Sequence, residues 1–401
     1  MSYTMIRLLR RTVMLKPHTR SESTMTNLTQ EEYVFRPPIA QWSKVIKEAE
    51  KIVGYPTSFM NLRWLLSDEF ANLALHLRKI VGSNHPIMKT AKTVLYNEHN
   101  NLQPWGLIIL LLSKSVASKT TLLDANHVAE QQRMLAELTE MIRTGHYIHR
   151  GLLNIPPWGG SVKGNNDSLF ANKIAILLGD YLLVTANGML ARLRNQDLSY
   201  LISTALRDLS EGEFFGPRDE QNIPIPSIPN QNKPDDFRIR CDTLPLEVKD
   251  VLGSPVREWT LRTLYNGGTL FGRGCQGAMF LAKQSVEEEQ RAFLFGCHLC
   301  LAWQAVSDLQ KFMDTKDMFS LVSAPVLFGL SHSPHLHTQV SNIKNINEVN
   351  YHKLKEDILN TNAVERTKLL YSEHADKAKR YVELFGDNES VRTIKSMIKN
   401  S

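Results

Sequence analysis

The chain has 401 residues, of which 42% are hydrophobic and 22% are charged. This composition excludes a wholly disordered chain, and four cysteines are too few for a secreted disulfide scaffold. No apolar run reaches the roughly 20 residues of a membrane-spanning helix, because Gly179, Asp180 and Asn187 interrupt the longest candidate.

The first 20 residues carry five of the six net positive charges and contain no acid. Basic residues alternate there with apolar ones, and hydroxyl-bearing residues follow. Such a start is typical of a mitochondrial targeting peptide, so we predict one over residues 1–30 and a matrix or inner-membrane-associated protein. A disordered basic tail is the alternative. Nucleic-acid binding is disfavoured, because no basic patch interleaved with aromatic residues recurs later.

From residue 38 onwards the hydrophobic pattern is helical almost throughout. Runs of alternating β-branched residues, which are typical of strands, are nearly absent. The predicted helical segments are 38–54, 62–80, 105–117, 126–149, 170–193, 197–213, 261–283, 286–313 and 351–401. We therefore predict an all-α protein whose single large domain runs from residue 38 to residue 401.

Two stretches interrupt the helical pattern. Residues 155–168 are rich in Pro, Gly and Asn, and residues 216–257 contain seven prolines. A loop of about 40 residues without regular structure is rare inside a compact domain. We interpret residues 216–257 as a mobile insertion, with a partner-binding segment as the alternative.

The segment 172–183 reads NKIAILLGDYLL and resembles a helix of the trans-polyprenyl diphosphate synthases. Residues 140–149, 211–213 and 301–308 resemble, in the same order, three further segments of that family. These are the helix that leads into the first aspartate-rich motif, a Gly-Glu segment and the second aspartate-rich helix. The resemblance covers roughly residues 45–400 outside the insertion. It implies a helical bundle of the isoprenoid-synthase type with a central cavity.

The chemistry of that family requires acids at defined positions. An allylic diphosphate ionises to a carbocation and pyrophosphate, and magnesium ions held by carboxylates of two facing helices stabilise the leaving group. Basic side chains clamp the second diphosphate.

All but one of those acids, and the bases of the clamp, are missing from this chain. The first motif has Arg150, Gly151 and Asn154 at its acidic positions, and the second has Ser307, Asp308 and Lys311. The clamp positions are Gly82, His85, Asn266 and Gly267. An Arg or Lys at a ligand position repels magnesium, so we predict no catalytic residue, no metal site and no cofactor in this chain. Asp308 is interpreted as a leftover polar position that faces the cavity.

One branch of the family, the non-catalytic subunits of mitochondrial decaprenyl diphosphate synthases, shares this loss, and its His-Arg-Gly matches residues 149–151. The resemblance implies an accessory subunit, inactive alone, in a heterodimer or heterotetramer with a catalytic homologue that binds Mg²⁺ and makes the ubiquinone side chain. A polyprenyl chain or another lipid is a candidate ligand of the cavity. A mitochondrial lipid-binding or scaffold protein is the alternative. A prenyltransferase whose metal ligands lie at other positions is a weaker hypothesis. The acidic run 287–289 is a candidate for such ligands, but it starts a helix, where acids interact favourably with the positive end of the helix dipole.

Several other polar or small residues are candidates for cavity-lining or structural roles. They are Gly145, His149, Lys173, Asp180 and Gln304. Cys297 and Cys300 have the spacing of half a zinc site but stand alone, so buried helical cysteines are favoured over a metal site. For His146 and His149, cavity-facing histidines are likewise favoured over a metal site. The histidines between 332 and 337 are interpreted as part of a solvated loop.

Overall fold

The computed structural model describes residues 39–54, 104–116, 125–155, 162–314, 318–341 and 343–399. Their helices are α1 Ile39–Val53, α2 Trp105–Val116, α3 Ala125–His149, α4 Val162–Arg192, α5 Gln196–Gly212, α6 Pro255–Thr263, α7 Thr269–Leu281, α8 Val286–Met313, α9 Ala324–His332, α10 Thr338–Ser341, α11 Tyr351–Leu359, α12 Ala363–Glu383 and α13 Glu389–Lys399. Within these ranges there is no strand, only an isolated bridge between Arg218 and Pro224. The all-α prediction is confirmed. The targeting segment 1–30, the helix 62–80, Gly82 and His85 lie outside the described residues.

The observed helix ends differ from the predicted ones in several places, and the predicted segment 351–401 is divided into α11, α12 and α13. The segment 261–283 is divided between α6 and α7 by a π-helical turn, Leu264–Gly268. Helix α4 begins at Val162, inside the predicted Pro/Gly/Asn-rich interruption. Its first turns are polar, so they carry no hydrophobic periodicity from which a helix could be predicted.

Helix α8 is the centre of the bundle and packs against α7 and α12. Its start is fixed by a capping box, in which Ser285 accepts from the N–H of Glu288 and Glu288 accepts from the N–H of Ser285. Trp303 of α8 lies in an aromatic stack with Phe271 (centroids 6.2 Å apart), which in turn stacks on Trp105 of α2 at 5.0 Å. This stack joins three helices in the core.

Two described helices, α4 and α8, are long and apolar enough to cross a membrane by length and composition alone. Helix α8 passes this test as a core helix, because 83% of its apolar window is buried. Only 33% of the corresponding window of α4 is buried. The main neighbour of α4 among the described elements is α3, so a large part of its apolar surface faces outwards.

The Pro-rich segment between α5 and α6, residues 217–254, is here called the strap. It lies on the bundle and is attached to it through backbone carbonyls and through side chains. Arg273 of α7 donates to the carbonyls of Cys241 (3.1 Å) and Asp242. Arg207 of α5 donates to the carbonyl of Thr243 (3.2 Å). The side chains of Ile225, Ile239 and Val251 are buried. In the structure the strap is packed against the bundle, whereas the sequence predicts that this segment is mobile.

Candidate functional site

The site to which the sequence points lies at the C-terminal end of α3, where the first aspartate-rich motif is expected. The N–H of Arg150 donates to the carbonyl of His146 (3.0 Å), and the N–H of Gly151 donates to that of Ile148 (3.0 Å). These bonds close the last turn of the helix. They leave the side chain of Arg150 at the helix end, where it reaches α5 and the π-helical turn.

Arg150 is held by acceptors on two other elements. Its Nε lies 3.2 Å from Oε1 of Glu213, the residue that caps α5. Its Nη1 donates to Oδ1 of Asn266 in the π-helical turn. Glu213 is shared with the strap, since its Oε2 lies 3.6 Å from Nη1 of Arg218. The carboxylate at the centre of this cluster is therefore neutralised by two arginines of the same chain.

Two histidines on the last turns of α3 flank this cluster. Nε2 of His146 lies 3.9 Å from Oε1 of Glu213. Burial, with Arg150 and His149 nearby, lowers the pKa of His146 to about 3, so this imidazole is neutral at pH 7. Nε2 of His149 lies 3.3 Å from Oδ1 of Asp180 on α4. In the described part of the chain, no three His, Cys, Asp or Glu side chains are placed to hold a metal ion.

Two glycines allow α3 and α4 to approach closely beside the site. A Cβ at Gly179 would clash with the imidazole of His149, and a Cβ at Gly145 would lie 3.2 Å from the carbonyl oxygen of Gly179. Gly145 is thus a helix–helix contact residue. Asp180, one of the predicted cavity or structural residues, has 59% of its side chain exposed.

Asn154, the third degenerate position of the first motif, is bound by the strap. Its N–H donates to Oε1 of Gln221 (2.9 Å), and Nε2 of Gln221 donates back to its carbonyl (2.9 Å). Its side-chain amide donates to the carbonyl of Glu220 (2.7 Å). The strap therefore uses both the backbone and the side chain of Asn154.

Asp308 is the one acid left in the second motif, and it is buried in α8. Its Oδ2 accepts from the indole N–H of Trp259 (2.8 Å) and from the N–H of Ala324 (3.0 Å), and its Oδ1 accepts from Nε2 of Gln304 (2.6 Å). Burial raises the pKa of Asp308, and these bonds oppose the rise. The structure differs from the interpretation of a leftover cavity residue, because the carboxylate ties α6, α8 and α9 together.

The remaining predicted site residues are not brought into one cluster. Ser307 is half-buried, Lys311 is exposed on α8, and Lys173 is exposed on α4. Gly267 has φ +124°, and a Cβ there would lie 2.6 Å from Cη2 of Trp105. The π-helical turn therefore requires glycine at position 267 for both backbone and space.

The fold family implies Mg²⁺, and the residues present do not fit it. Hard magnesium needs several oxygen ligands in octahedral geometry. Arg150 stands at the first ligand position, and the oxygens of Glu213 already face Arg150 and Arg218. Both oxygens of Asp308 accept hydrogen bonds from the protein. We therefore derive no catalytic step through a metal on this chain.

The structure brings together Arg150 with Asn266 and Gln304 with Asp308, which the sequence named separately. It also adds functional partners that sequence reasoning missed: Glu213, Arg218, Gln221 and Trp259. Glu213 was visible as part of the Gly-Glu segment, but its role was not. Gln221 and Arg218 carried no signal, because both lie in an irregular segment without periodicity, and the partner of Gln221 is 67 residues away.

A helical bundle with Arg150 at the end of α3 and Asp308 buried in α8 defines a protein of the isoprenoid-synthase type. No protein-family model matches the chain. It is 34% identical over 374 residues to the Mus musculus protein named all trans-polyprenyl-diphosphate synthase PDSS2, with 90% of this chain and 86% of that protein covered. The Homo sapiens protein of the same name is 33% identical over 374 residues. The chain belongs to the trans-polyprenyl diphosphate synthase family.

Solved structures agree with this fold. A structure titled apo form of Arabidopsis medium/long-chain length prenyl pyrophosphate synthase has a TM-score of 0.52 and 22% identity, with 85% of this chain and 97% of that chain covered. Heptaprenyl diphosphate synthase from Staphylococcus aureus has a TM-score of 0.55 and 13% identity, with coverages of 91% and 98%. At these identities the likeness concerns the fold alone.

Proposed function

We propose that this protein is an accessory, non-catalytic subunit of a heteromeric trans-polyprenyl diphosphate synthase. The observation that carries the proposal is Arg150, which stands where the first magnesium-binding acid is expected and is bound to Glu213 and Asn266. A cation fixed at a ligand position opposes metal binding. The catalytic homologue then supplies all metal ligands and both diphosphate sites, and the assembly is a heterodimer or heterotetramer.

The names of relatives support the pathway and the compartment. Besides the PDSS2 proteins, the chain is 24% identical over 428 residues to the protein of Saccharomyces cerevisiae named hexaprenyl pyrophosphate synthase, mitochondrial. We infer from these names and from the basic, acid-free start that the subunit acts in mitochondria. The product of the assembled pair is a polyprenyl diphosphate, which serves there as the precursor of the ubiquinone side chain.

The direct test is an elongation assay with labelled isopentenyl diphosphate, an allylic primer and Mg²⁺. This chain alone is expected to form no long-chain product, and the pair with its catalytic homologue is expected to exceed the homologue alone. Long-chain product from this chain alone would contradict the proposal.

A matched pair of variants locates the chemistry within the complex. Asp308→Asn in this chain keeps an acceptor beside Trp259 and is expected to leave the kcat of the assembled pair unchanged. Replacement of one aspartate in the first motif of the homologue is expected to abolish product. If Asp308→Asn removes turnover while the pair still assembles and its Tm stays within a few degrees, this chain contributes a catalytic carboxylate and the proposal fails.

A further inference from the structure

The two motif positions of this chain meet one face of the helical stretch formed by α6 and the π-helical turn. Trp259, Arg262 and Asn266 lie at positions i, i+3 and i+7 of that stretch, a spacing that places them on one face. The indole of Trp259 donates to Asp308 (2.8 Å), and the side chain of Asn266 accepts from Arg150. Arg262 therefore lies between the contacts that the two motif positions make.

The beginning of the strap lies against Arg262 in this interval. Residues 217–225 are here called the strap hairpin, because the N–H of Ile225 donates back to the carbonyl of Pro217 (3.0 Å). Nη2 of Arg262 donates to the carbonyl of Ile225 (3.4 Å). The side chain of Ile225 is buried in the apolar cluster that also contains Leu301 of α8. The strap hairpin thus places an apolar side chain beside the helix of the second motif.

The strap hairpin is also attached to the end of α3 and to the cap of α5. Gln221 exchanges two hydrogen bonds with the backbone of Asn154, each 2.9 Å long. Nη1 of Arg218 lies 3.6 Å from Oε2 of Glu213, and only 11% of the Arg218 side chain is exposed. These two side chains hold the hairpin over the first motif position.

A third attachment joins the strap hairpin to the segment between α10 and α11. The N–H of Glu220 donates to the carbonyl of Lys344 (3.0 Å). Oδ2 of Asp219 accepts from the N–H of Ile346 (3.0 Å). The hairpin is therefore fixed on three sides and also to α6, as a segment that covers an opening would be.

We propose that the strap hairpin is a built-in plug, which closes the cleft between the end of α3 and α8 to uncharged apolar ligands. While the plug is attached, Ile225 occupies the apolar cluster, and Arg218 and Gln221 cover the approach from α3. A ligand enters only when the hairpin is detached, so its apparent affinity is reduced by the detached fraction. This closure is independent of the proposed accessory function, because it is measured by binding and not by turnover.

The test is a titration of the full chain with N-phenyl-1-naphthylamine, an uncharged dye whose fluorescence rises in apolar surroundings. The release variant, Arg218→Ala with Gln221→Ala, removes the side-chain contacts of the hairpin with α3 and α5. We expect it to bind the dye at least about tenfold more tightly than the wild type. The matched control is Arg238→Ala with Asn232→Ala, because both residues are exposed in the same strap. The control is expected to bind the dye as the wild type does.

Hydrogen exchange reports whether the plug has detached. The N–H groups of Asn154 and Ile346 are expected to exchange at least about tenfold faster in the release variant than in the control. Near-UV circular dichroism and Tm check that the variants fold, and Gln221→Ala alone replaces the double variant if that variant does not fold. Equal dye affinity in the wild type and the release variant, with or without faster exchange, would overturn the proposal. Unchanged exchange would also overturn it, because these contacts would then not hold the hairpin.

Discussion

At the scale of single residues, the carboxylate of Asp308 forms structural hydrogen bonds. It accepts from Trp259, Gln304 and Ala324. A buried acceptor of this kind is costly to remove, because each donor left unsatisfied in the interior costs about 1–3 kcal/mol. Asp308 therefore stabilises the fold.

Asp308→Ala is expected to lower the free energy of unfolding by about 2–4 kcal/mol, because the indole of Trp259 and the N–H of Ala324 lose their acceptor. Asp308→Asn keeps one oxygen and is expected to lose less. Chemical denaturation with a Tm measurement compares the two. Equal losses for both variants would show that the hydrogen bonds do not account for the stability.

A second residue-scale prediction concerns the buried pair His298 and His374, whose Nδ1 atoms lie 3.0 Å apart between α8 and α12. Burial lowers the pKa of each to about 3. The unfolded chain binds protons near pH 6.5, so these groups contribute stability above that pH and lose it as the pH falls towards 3.

The double variant with His298→Gln and His374→Gln is expected to have a flatter fall of Tm between pH 7 and pH 5 than the wild type. His352→Gln is the control, because 83% of the side chain of His352 is exposed. Comparing the pH dependence of Tm in the two variants separates the contribution of the pair His298 and His374 from that of acids that titrate in the same range. An unchanged slope in the double variant would contradict this assignment.

At the scale of elements, the strap is held by cations that bind its backbone. Arg273 also stacks on Phe293 with its guanidinium carbon 4.2 Å from the ring centroid. Burial lowers its pKa, and a buried charge is retained only when it is well paired. The strap supplies that pairing through two carbonyls.

Arg273→Met is expected to raise the hydrogen-exchange rate of residues 241–246 about tenfold or more, because a hydrogen bond to a charged group is worth about 1.5–3 kcal/mol. Arg238→Met is the matched control, since Arg238 lies exposed in the same strap. Equal exchange in both variants would show that the strap is held elsewhere.

The helices were largely predictable from the sequence, whereas the strap and the cluster around Arg150 were not. The start of α8 can be recognised from the sequence alone, because Ser285 and Glu288 form a capping box. The contact between Asn154 and Gln221 joins two irregular segments of the chain that are 67 positions apart. No periodicity encodes such a contact, so only tertiary structure reveals it.

At the scale of the whole molecule, helix α4 is packed on one side and exposed on the other. It contacts α3 through Gly145 and Gly179, whereas its residues Ile176, Leu177 and Val184 are exposed.

The way the strap is fastened also bears on how freely its sequence can change. Arg207, Arg262 and Arg273 bind residues 215–244 through carbonyl oxygens. Every amino acid, proline included, supplies that same oxygen. Among relatives, the residues that supply these carbonyls can therefore change while the three arginines persist, whereas Gln221, whose side chain binds Asn154, is expected to vary less.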